Sequence, residues 1–175
     1  MPAGRRLLVL DGEPGDWLPP GWEVLPQCDG GLDRRLADAF AHAARLAPEA
    51  PALLVGMDTP QLEAAALAEP LSAARRPGVD VWYGPAADGG FWALGLARPT
   101  AQLAARVLHD VPMSTPDTGA ALLRRLARAR LTVHHLPVLT DVDTADDAWQ
   151  VAAEAPGSRF ADRLRTLTAT PEVAS

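Results

Sequence analysis

The amino-acid sequence predicts an α/β fold in which helices cover both faces of a mostly parallel sheet. Through the middle of the chain, short apolar stretches of strand length alternate with longer segments whose apolar residues recur at helical spacing. In addition, the apolar residues 52–55 run into Gly56, Met57 and Asp58. An acidic residue would thus stand at the carboxyl end of a buried strand, which is where ligands bind in open α/β sheets.

The first third of the chain is predicted to contain three strands and one helix. Residues 5–10 and 22–25 are short and apolar, and residues 13–21 between them are rich in proline and glycine, as loops are. Residues 32–46 carry apolar side chains on one helical stripe, which predicts an amphipathic helix. Residues 52–55 form the third strand.

The remaining elements follow from the same criteria. Residues 61–76 are predicted to form an amphipathic helix bent at Pro70, with Thr59 as its N-cap and Pro60 in its first turn. Thr115 and Thr144 are predicted to cap two later helices, the second of them through a capping box. The other predicted elements are strands at 79–83, 91–96 and 131–136 and helices at 99–109, 116–130, 145–155 and 158–167.

The length and composition narrow the class of protein. A chain of 175 residues favours one domain, here residues 1–157, followed by a C-terminal helix and a frayed tail at 158–175. The net charge of −6 argues against non-specific binding of nucleic acid. No apolar run approaches the ~20 residues of a membrane span.

Two residue types exclude particular chemistries. All 16 basic residues are arginine, so the chain has neither a Schiff-base lysine nor a phosphate-loop lysine. Cys28 is the single cysteine, which excludes an internal disulfide and a cysteine-based zinc site and favours a cytoplasmic location. Neither a nucleophile-elbow serine motif nor a dinucleotide-binding fingerprint is present.

Acidic residues follow or border three of the predicted strands. They are Asp58, Asp88, and the pair Asp141 and Asp143. In a parallel sheet these positions lie on one edge, and carboxylates that converge there repel each other unless a cation or an arginine neutralises them. A divalent metal, Mg²⁺ or Mn²⁺, that bridges two phosphates is the most economical explanation.

Each acidic site also has a purely structural interpretation. Asp58 would cap the helix that follows it, and Asp88, which precedes two glycines, has the composition of a common turn. Asp141 and Asp143 would be loop acids near a helix N-terminus, where negative charge is favoured. The joint pattern is therefore more informative than any one member.

Four segments together resemble a known bacterial family. They are residues 56–60 (GMDTP), 84–90 (GPAADGG), 114–115 (ST) and 141–144 (DVDT). In this order and spacing they resemble the GT-A-like transferases called radical-SAM/selenodomain-associated transferase family 1, in the nucleotide-diphospho-sugar transferase superfamily. The chain is also similar to the guanylyltransferases of molybdenum-cofactor and phospholactate metabolism. The resemblance covers roughly residues 5–156 and implies a three-layer GT-A-like fold, a nucleotide or nucleotide-sugar donor and a divalent metal.

The resemblance implies roles for six residues at the sheet edge, namely Asp58, Asp88, Gly89, Gly90, Asp141 and Asp143. Asp58 would bind the metal after the central strand, and Asp141 or Asp143 would supply the second acid. Asp88 and its two glycines would line the acceptor or sugar side. Asp88 would there orient an acceptor hydroxyl or act as its base, which makes Asp88 and Asp58 the candidate catalytic residues.

The front of the chain departs from the family pattern. Family members begin with a strand and a Lys-x-Pro-x-x-Gly-x-x-Lys-Thr-Arg-Leu loop that cradles the nucleotide, whereas residues 5–10 here align with the family's second strand. The chain is therefore expected to be N-terminally shortened. Either the loop at 11–15, which begins with Asp11 and Gly12, has taken over donor binding, or the protein has lost donor binding. Gln27 and Arg35 match the family's Gln and Leu-Gly-x-Arg segment, in which Asp33 replaces the glycine.

These observations predict a metal-dependent glycosyltransferase that uses a nucleotide-sugar donor and an unknown acceptor. Glycosyl transfer is preferred because the lysine-containing N-terminal segment of the nucleotidyltransferases is absent. The alternatives are a nucleotidyltransferase of the guanylyltransferase type and a non-catalytic GT-A-like remnant that binds a partner. A missing first strand would also leave a sheet edge to be covered, which suggests a homodimer.

Overall fold

The computed structural model describes residues 4–68, 70–71 and 77–169, and within them the chain forms six strands and six helices. In chain order these elements are β1 (Leu7–Leu10), β2 (Glu23–Pro26), α1 (Leu32–Leu46), β3 (Ala52–Val55), α2 (Ala64–Ala68), β4 (Val81–Pro85), β5 (Phe91–Leu96), α3 (Ala101–Leu108), α4 (Thr118–Arg128), β6 (Val133–His135), α5 (Ala145–Glu154) and α6 (Arg159–Ala169).

The strands are divided between two sheets. Strands β1 and β2 pair in parallel, and the other four form a sheet of order β3-β5-β4-β6. Strand β5 is antiparallel to both β3 and β4, while β6 is parallel to β4, so β3, β4 and β6 all run in the same direction. The predicted α/β fold is confirmed, and the four-stranded sheet is mixed, with three of its four strands running in the same direction. Strand β5 is the exception because a short hairpin turn joins it to β4.

The central strands β4 and β5 separate two apolar clusters. Val81, Leu94 and Leu96 pack with helices α1, α3 and α4 in the larger cluster, and Trp82 and Ala93 belong to the smaller one. Successive side chains of a strand point to opposite faces, which is why neighbours in the sequence are divided between the clusters. The sheet is therefore the middle layer of three, and only its ends and outer edges reach solvent.

Two helix starts follow from local side-chain chemistry. The hydroxyl of Thr144 accepts a hydrogen bond from the Asp147 N–H at 3.2 Å, and the Asp147 carboxylate accepts from the Thr144 N–H at 2.8 Å. This is the predicted capping box of α5. Thr100 caps α3 by accepting from the Leu103 N–H at 3.0 Å. Helix α1 has the bounds that its apolar periodicity predicts.

The helix predicted at 61–76 is confirmed only over Ala64–Ala68, and its predicted start and cap were wrong. Helix α2 begins only at Ala64, and Thr59 does not cap it, because its hydroxyl is buried without a partner among the described residues. Instead, the Thr59 carbonyl accepts from the Leu62 N–H at 3.0 Å in a turn. The Gln61 side chain joins this turn to a distant loop by donating to the Thr140 carbonyl. Pro70 lies in a turn, and residues 69 and 72–76 lie outside the described residues.

The predicted cap of α4 was also wrong. The helix begins at Thr118 with Asp117 as its N-cap, whereas Thr115 lies in the preceding turn. The Thr118 hydroxyl donates to the Pro112 carbonyl at 2.8 Å and accepts from the Thr115 N–H at 3.1 Å. These bonds stabilise a turn before the helix, so the helix starts two residues later than Pro116.

The C-terminal helix packs against the rest of the chain. Helix α6 lies against α5 and buries Ala161 completely, so the element predicted at 158–167 exists and extends to Ala169. The division into a domain at 1–157 and a tail at 158–175 stays a prediction, and residues 170–175 lie outside the described residues. Among the helices of the described residues, none is both long and apolar enough to cross a bilayer.

Candidate functional site

Three loops leave the same edge of the four-stranded sheet. Strands β3, β4 and β6 run in the same direction, so the segments that follow them, residues 56–61, 86–90 and 136–144, emerge at one end. These segments contain the acidic residues on which the sequence argument depended. The edge is also where open α/β sheets place ligands.

The structure brings Asp58, Asp141 and Asp143 together. One carboxylate oxygen from each residue lies within 4.8 Å of the other two. Two ligands of one Mg²⁺ ion are at most about 4.2 Å apart, twice its usual distance to oxygen. Asp58 and Asp143 are exposed, whereas Asp141 is partly buried. The cluster therefore has the donor atoms and the spacing of a hard-cation site.

Two hydrogen bonds join the loops that contain these acids. The Val142 N–H donates to the Asp58 carbonyl at 2.9 Å, and the Gln61 side-chain amide donates to the Thr140 carbonyl at 2.6 Å. A third segment is attached to the same loop, since the Ala87 N–H donates to the Leu139 carbonyl at 2.9 Å. The carboxylates converge because backbone and side-chain contacts hold the loops together.

The electrostatics of the cluster favour a positive ligand. The pKa of Asp141 is raised above its ordinary value, first by burial. The neighbouring carboxylates of Asp88, Asp143 and Asp58 raise it further. Within residues 4–68, 70–71 and 77–169, no arginine forms an ion pair with Asp58, Asp141 or Asp143. Their mutual repulsion is therefore left for a proton or a bound cation to relieve.

Asp88 lies in the turn between β4 and β5, close enough to Asp141 to contribute to its raised pKa. Its carboxylate accepts from the Gly90 N–H at 2.7 Å, so part of its function is the structural one typical of Asp-Gly turns. Gly89 has φ of 94°, and a Cβ there would overlap the Pro116 carbonyl oxygen. Glycine is therefore required at 89 by the turn itself.

Two further residues hold this turn, and sequence reasoning did not identify them as part of a site. The Tyr83 hydroxyl donates to the Gly90 carbonyl at 3.1 Å, and the Gly119 N–H donates to the Gly89 carbonyl at 2.9 Å. A Cβ at Gly119 would overlap the Tyr83 hydroxyl oxygen. Burial, and secondarily the charge of Asp88, raises the pKa of Tyr83. The sequence signal for Gly119 was a glycine in a helical first turn, which is otherwise unfavourable.

The residues expected to bind the donor form a second cluster beyond β1 and β2. Arg35 donates to the Gln27 side-chain oxygen at 2.5 Å and to the Gly30 carbonyl at 3.0 Å, and its guanidinium lies 3.6 Å from the Asp11 carboxylate. Gly12, next to Asp11, has φ of 112°. Among the described residues, no hydrogen bond or ion pair joins this cluster to the three acids.

Comparisons with known proteins agree with this fold. The profile of a family described as "uncharacterized protein conserved in bacteria (DUF2064)" matches residues 4–115, more than half of the chain. A crystal structure of a candidate nucleotide-diphospho-sugar transferase from Desulfovibrio desulfuricans G20 superposes with a TM-score of 0.75 at 25% sequence identity. The superposition covers 93% of this chain and 73% of that one, and it confirms the GT-A-like fold. No curated protein matches the chain.

Proposed function

The chain belongs to the DUF2064 family, and on this premise we propose that it is a metal-dependent glycosyltransferase with a nucleotide-sugar donor. The observation that carries the proposal is the convergence of three carboxylates from two separate loops to within 4.8 Å of one another. They lie at the ligand-binding edge of a fold shared with a candidate nucleotide-diphospho-sugar transferase.

Asp58, Asp141 and Asp143 would hold the divalent cation, Mg²⁺ or Mn²⁺. The fit rests on their oxygen donors, their spacing, and a negative charge that no arginine among the described residues neutralises. When bound, the cation would supply positive charge to the diphosphate as it departs from the sugar. The protein's part is to hold the three carboxylates close together.

Asp88 would act on the acceptor. Its carboxylate is oriented by the Gly90 N–H and lies at the same sheet edge as the three acids, which suits a group that orients an acceptor hydroxyl or takes its proton. Gly89 and Gly90 would line the acceptor or sugar side through the turn that carries Asp88, since the space beside Gly89 is filled by the Pro116 carbonyl.

The second cluster would bind the rest of the donor. Arg35 supplies a forked guanidinium for phosphate oxygens, and Gln27 and the Gly30 carbonyl orient it. Asp11 and Gly12 begin the loop after β1 and would contact the nucleoside. Glycosyl transfer is preferred to nucleotidyl transfer because the solved structure of similar fold is that of a candidate nucleotide-diphospho-sugar transferase.

One observation favours the non-catalytic alternative. Among the described residues, β1 pairs only with β2 and β3 only with β5, so each has a free edge. Free edges invite pairing with another chain. A non-catalytic remnant that binds a partner through these edges is therefore the competing proposal, and a homodimer formed through them is compatible with either function.

The test is calorimetric titration of UDP, GDP and their sugars into the protein with and without Mn²⁺. The proposal predicts binding that needs the metal and is lost in Asp58→Ala. Asp146→Ala is the matched control, since it removes an exposed carboxylate next to the cluster but outside it. If no nucleotide binds to the metal-loaded protein, the transferase proposal is wrong and the remnant is favoured.

A further inference from the structure

A buried side-chain amide connects the two loops that contain the acidic cluster. Gln61 is 9% exposed, and its Nε2 donates to the Thr140 carbonyl at 2.6 Å. Gln61 stands three positions after Asp58, and Thr140 directly precedes Asp141. We propose that Gln61 is a positioning residue that sets the spacing of the carboxylates in the metal site. The inference rests on the proposed function.

The carboxylates need such a device because they repel one another before a cation arrives. Among the described residues, two hydrogen bonds join residues 58–61 to 140–142: the Gln61 bond, and the backbone bond from the Val142 N–H to the Asp58 carbonyl. The backbone bond is available to any sequence. The Gln61 bond depends on one side chain, so this is where the sequence can set how far apart the loops lie.

The buried polar atoms that remain unpaired around Gln61 also favour a positioning role. Its Oε1 and the neighbouring Thr59 hydroxyl are buried without partners among the described residues. A buried polar atom left unpaired is destabilising, and an apolar side chain would avoid that cost. Proteins tolerate local violations of this kind mainly where function requires them. Stability alone therefore does not explain a glutamine at this position.

A merely structural role makes a different prediction from a positioning role. If Gln61 only stabilises the turn at 59–62, its loss lowers the melting temperature but leaves the metal affinity of the folded protein unchanged. If Gln61 positions the acids, its loss weakens metal binding in protein that is still folded. Residues that orient metal ligands typically change metal affinity by roughly 10- to 100-fold when they are replaced.

The experiment measures the Mn²⁺ dissociation constant by electron paramagnetic resonance of the free ion, with no substrate present. Gln61→Leu removes the donor at similar volume, and Gln61→Asn keeps the amide but shortens the side chain. Gln150→Leu is the matched control, because Gln150 donates to the hydroxyl of the same Thr140 from an exposed position at 3.4 Å. We expect about 10-fold or more weaker binding in both Gln61 variants and less than about a twofold change in the control.

The outcomes separate the two proposals. Wild-type protein that does not bind Mn²⁺ contradicts the proposed function. Wild-type protein that binds Mn²⁺, together with a folded Gln61 variant that binds it equally well, contradicts the positioning role alone. Circular dichroism melts establish which variants are folded. If both Gln61 variants are unfolded, the positioning role is also rejected, since the residue would then serve folding.

Discussion

The Val142 N–H donates a hydrogen bond to the Asp58 carbonyl at 2.9 Å and so joins the loop after β6 to the loop after β3. This contact lies within the group of residues whose carboxylates converge. The site is therefore built from backbone segments that are distant in the sequence and adjacent at one sheet edge.

The first prediction concerns Asp141 in metal-free protein. Its pKa is raised by burial first and by neighbouring carboxylates second, so the native state binds this proton more tightly than the unfolded state does. The free energy of unfolding should then decrease as pH rises from the ordinary aspartate pKa through the raised one. At neutral pH in EDTA, Asp141→Asn should melt at a higher temperature than wild type while losing Mn²⁺ affinity. A lower melting temperature would show that the carboxylate is not a source of repulsion.

The second prediction concerns Asp147, for which the free energy of unfolding changes with pH in the opposite direction. This residue serves as the control for Asp141. The Thr144 hydroxyl and N–H lower the pKa of Asp147 in the capping box of α5. Its stabilising contribution is present above the ordinary aspartate pKa and is lost as pH falls through the lowered one. Asp147→Asn should therefore lower the melting temperature at neutral pH and leave Mn²⁺ affinity unchanged. Thermal melts across pH measure this, and a variant as stable as wild type at neutral pH would contradict it.

The third prediction concerns the support of the Asp88 turn. In Gly119→Ala the new methyl group would overlap the Tyr83 hydroxyl and the carbonyls of Gly89 and Gly90. We expect the free energy of unfolding to fall by about 1–3 kcal/mol, the usual cost of overpacking. This loss is expected although alanine is the better helix former. Urea unfolding measures it. Gly157→Ala is the matched control, since no atom lies within 4 Å of its added Cβ. Equal stability of the two variants would contradict the contact.

The fourth prediction concerns the donor side. Arg35 donates hydrogen bonds to the Gln27 side chain and the Gly30 carbonyl. If it binds the donor's phosphates, Arg35→Ala should weaken nucleotide-sugar affinity by about 10- to 100-fold, the value of a hydrogen bond to a charged group. Mn²⁺ affinity should not change. Titration calorimetry of the Mn²⁺-loaded protein tests both statements, and unchanged donor affinity would remove Arg35 from the site.

Much of this architecture could be predicted because it depends on local patterns. The periodicity of residues 32–46 gave helix α1 its bounds, and Thr144 with Asp147 gave the start of α5. The convergence of Asp58 with Asp141 and Asp143 was also predictable, because parallel strands end at one sheet edge. Each of these inferences needs only the pattern of residues within one segment or the direction of the strands.

The errors arose where tertiary contacts overrode local chemistry. Thr59-Pro60 looks like a helix start, but the bond from Gln61 to Thr140 holds that segment as a turn. No pattern in the sequence shows that Gln61 meets a residue 79 positions away. Tyr83 and Gly119 were overlooked for the same reason, because their contacts with the Asp88 turn exist only in the folded chain.

The central claim is that Asp58, Asp141 and Asp143 hold one divalent cation together. Its most direct test is an anomalous difference map from crystals grown with Mn²⁺ and UDP. We expect one strong peak within coordination distance of a carboxylate oxygen from each of the three residues. A map with no peak there, or with Mn²⁺ bound only at other positions, would contradict it.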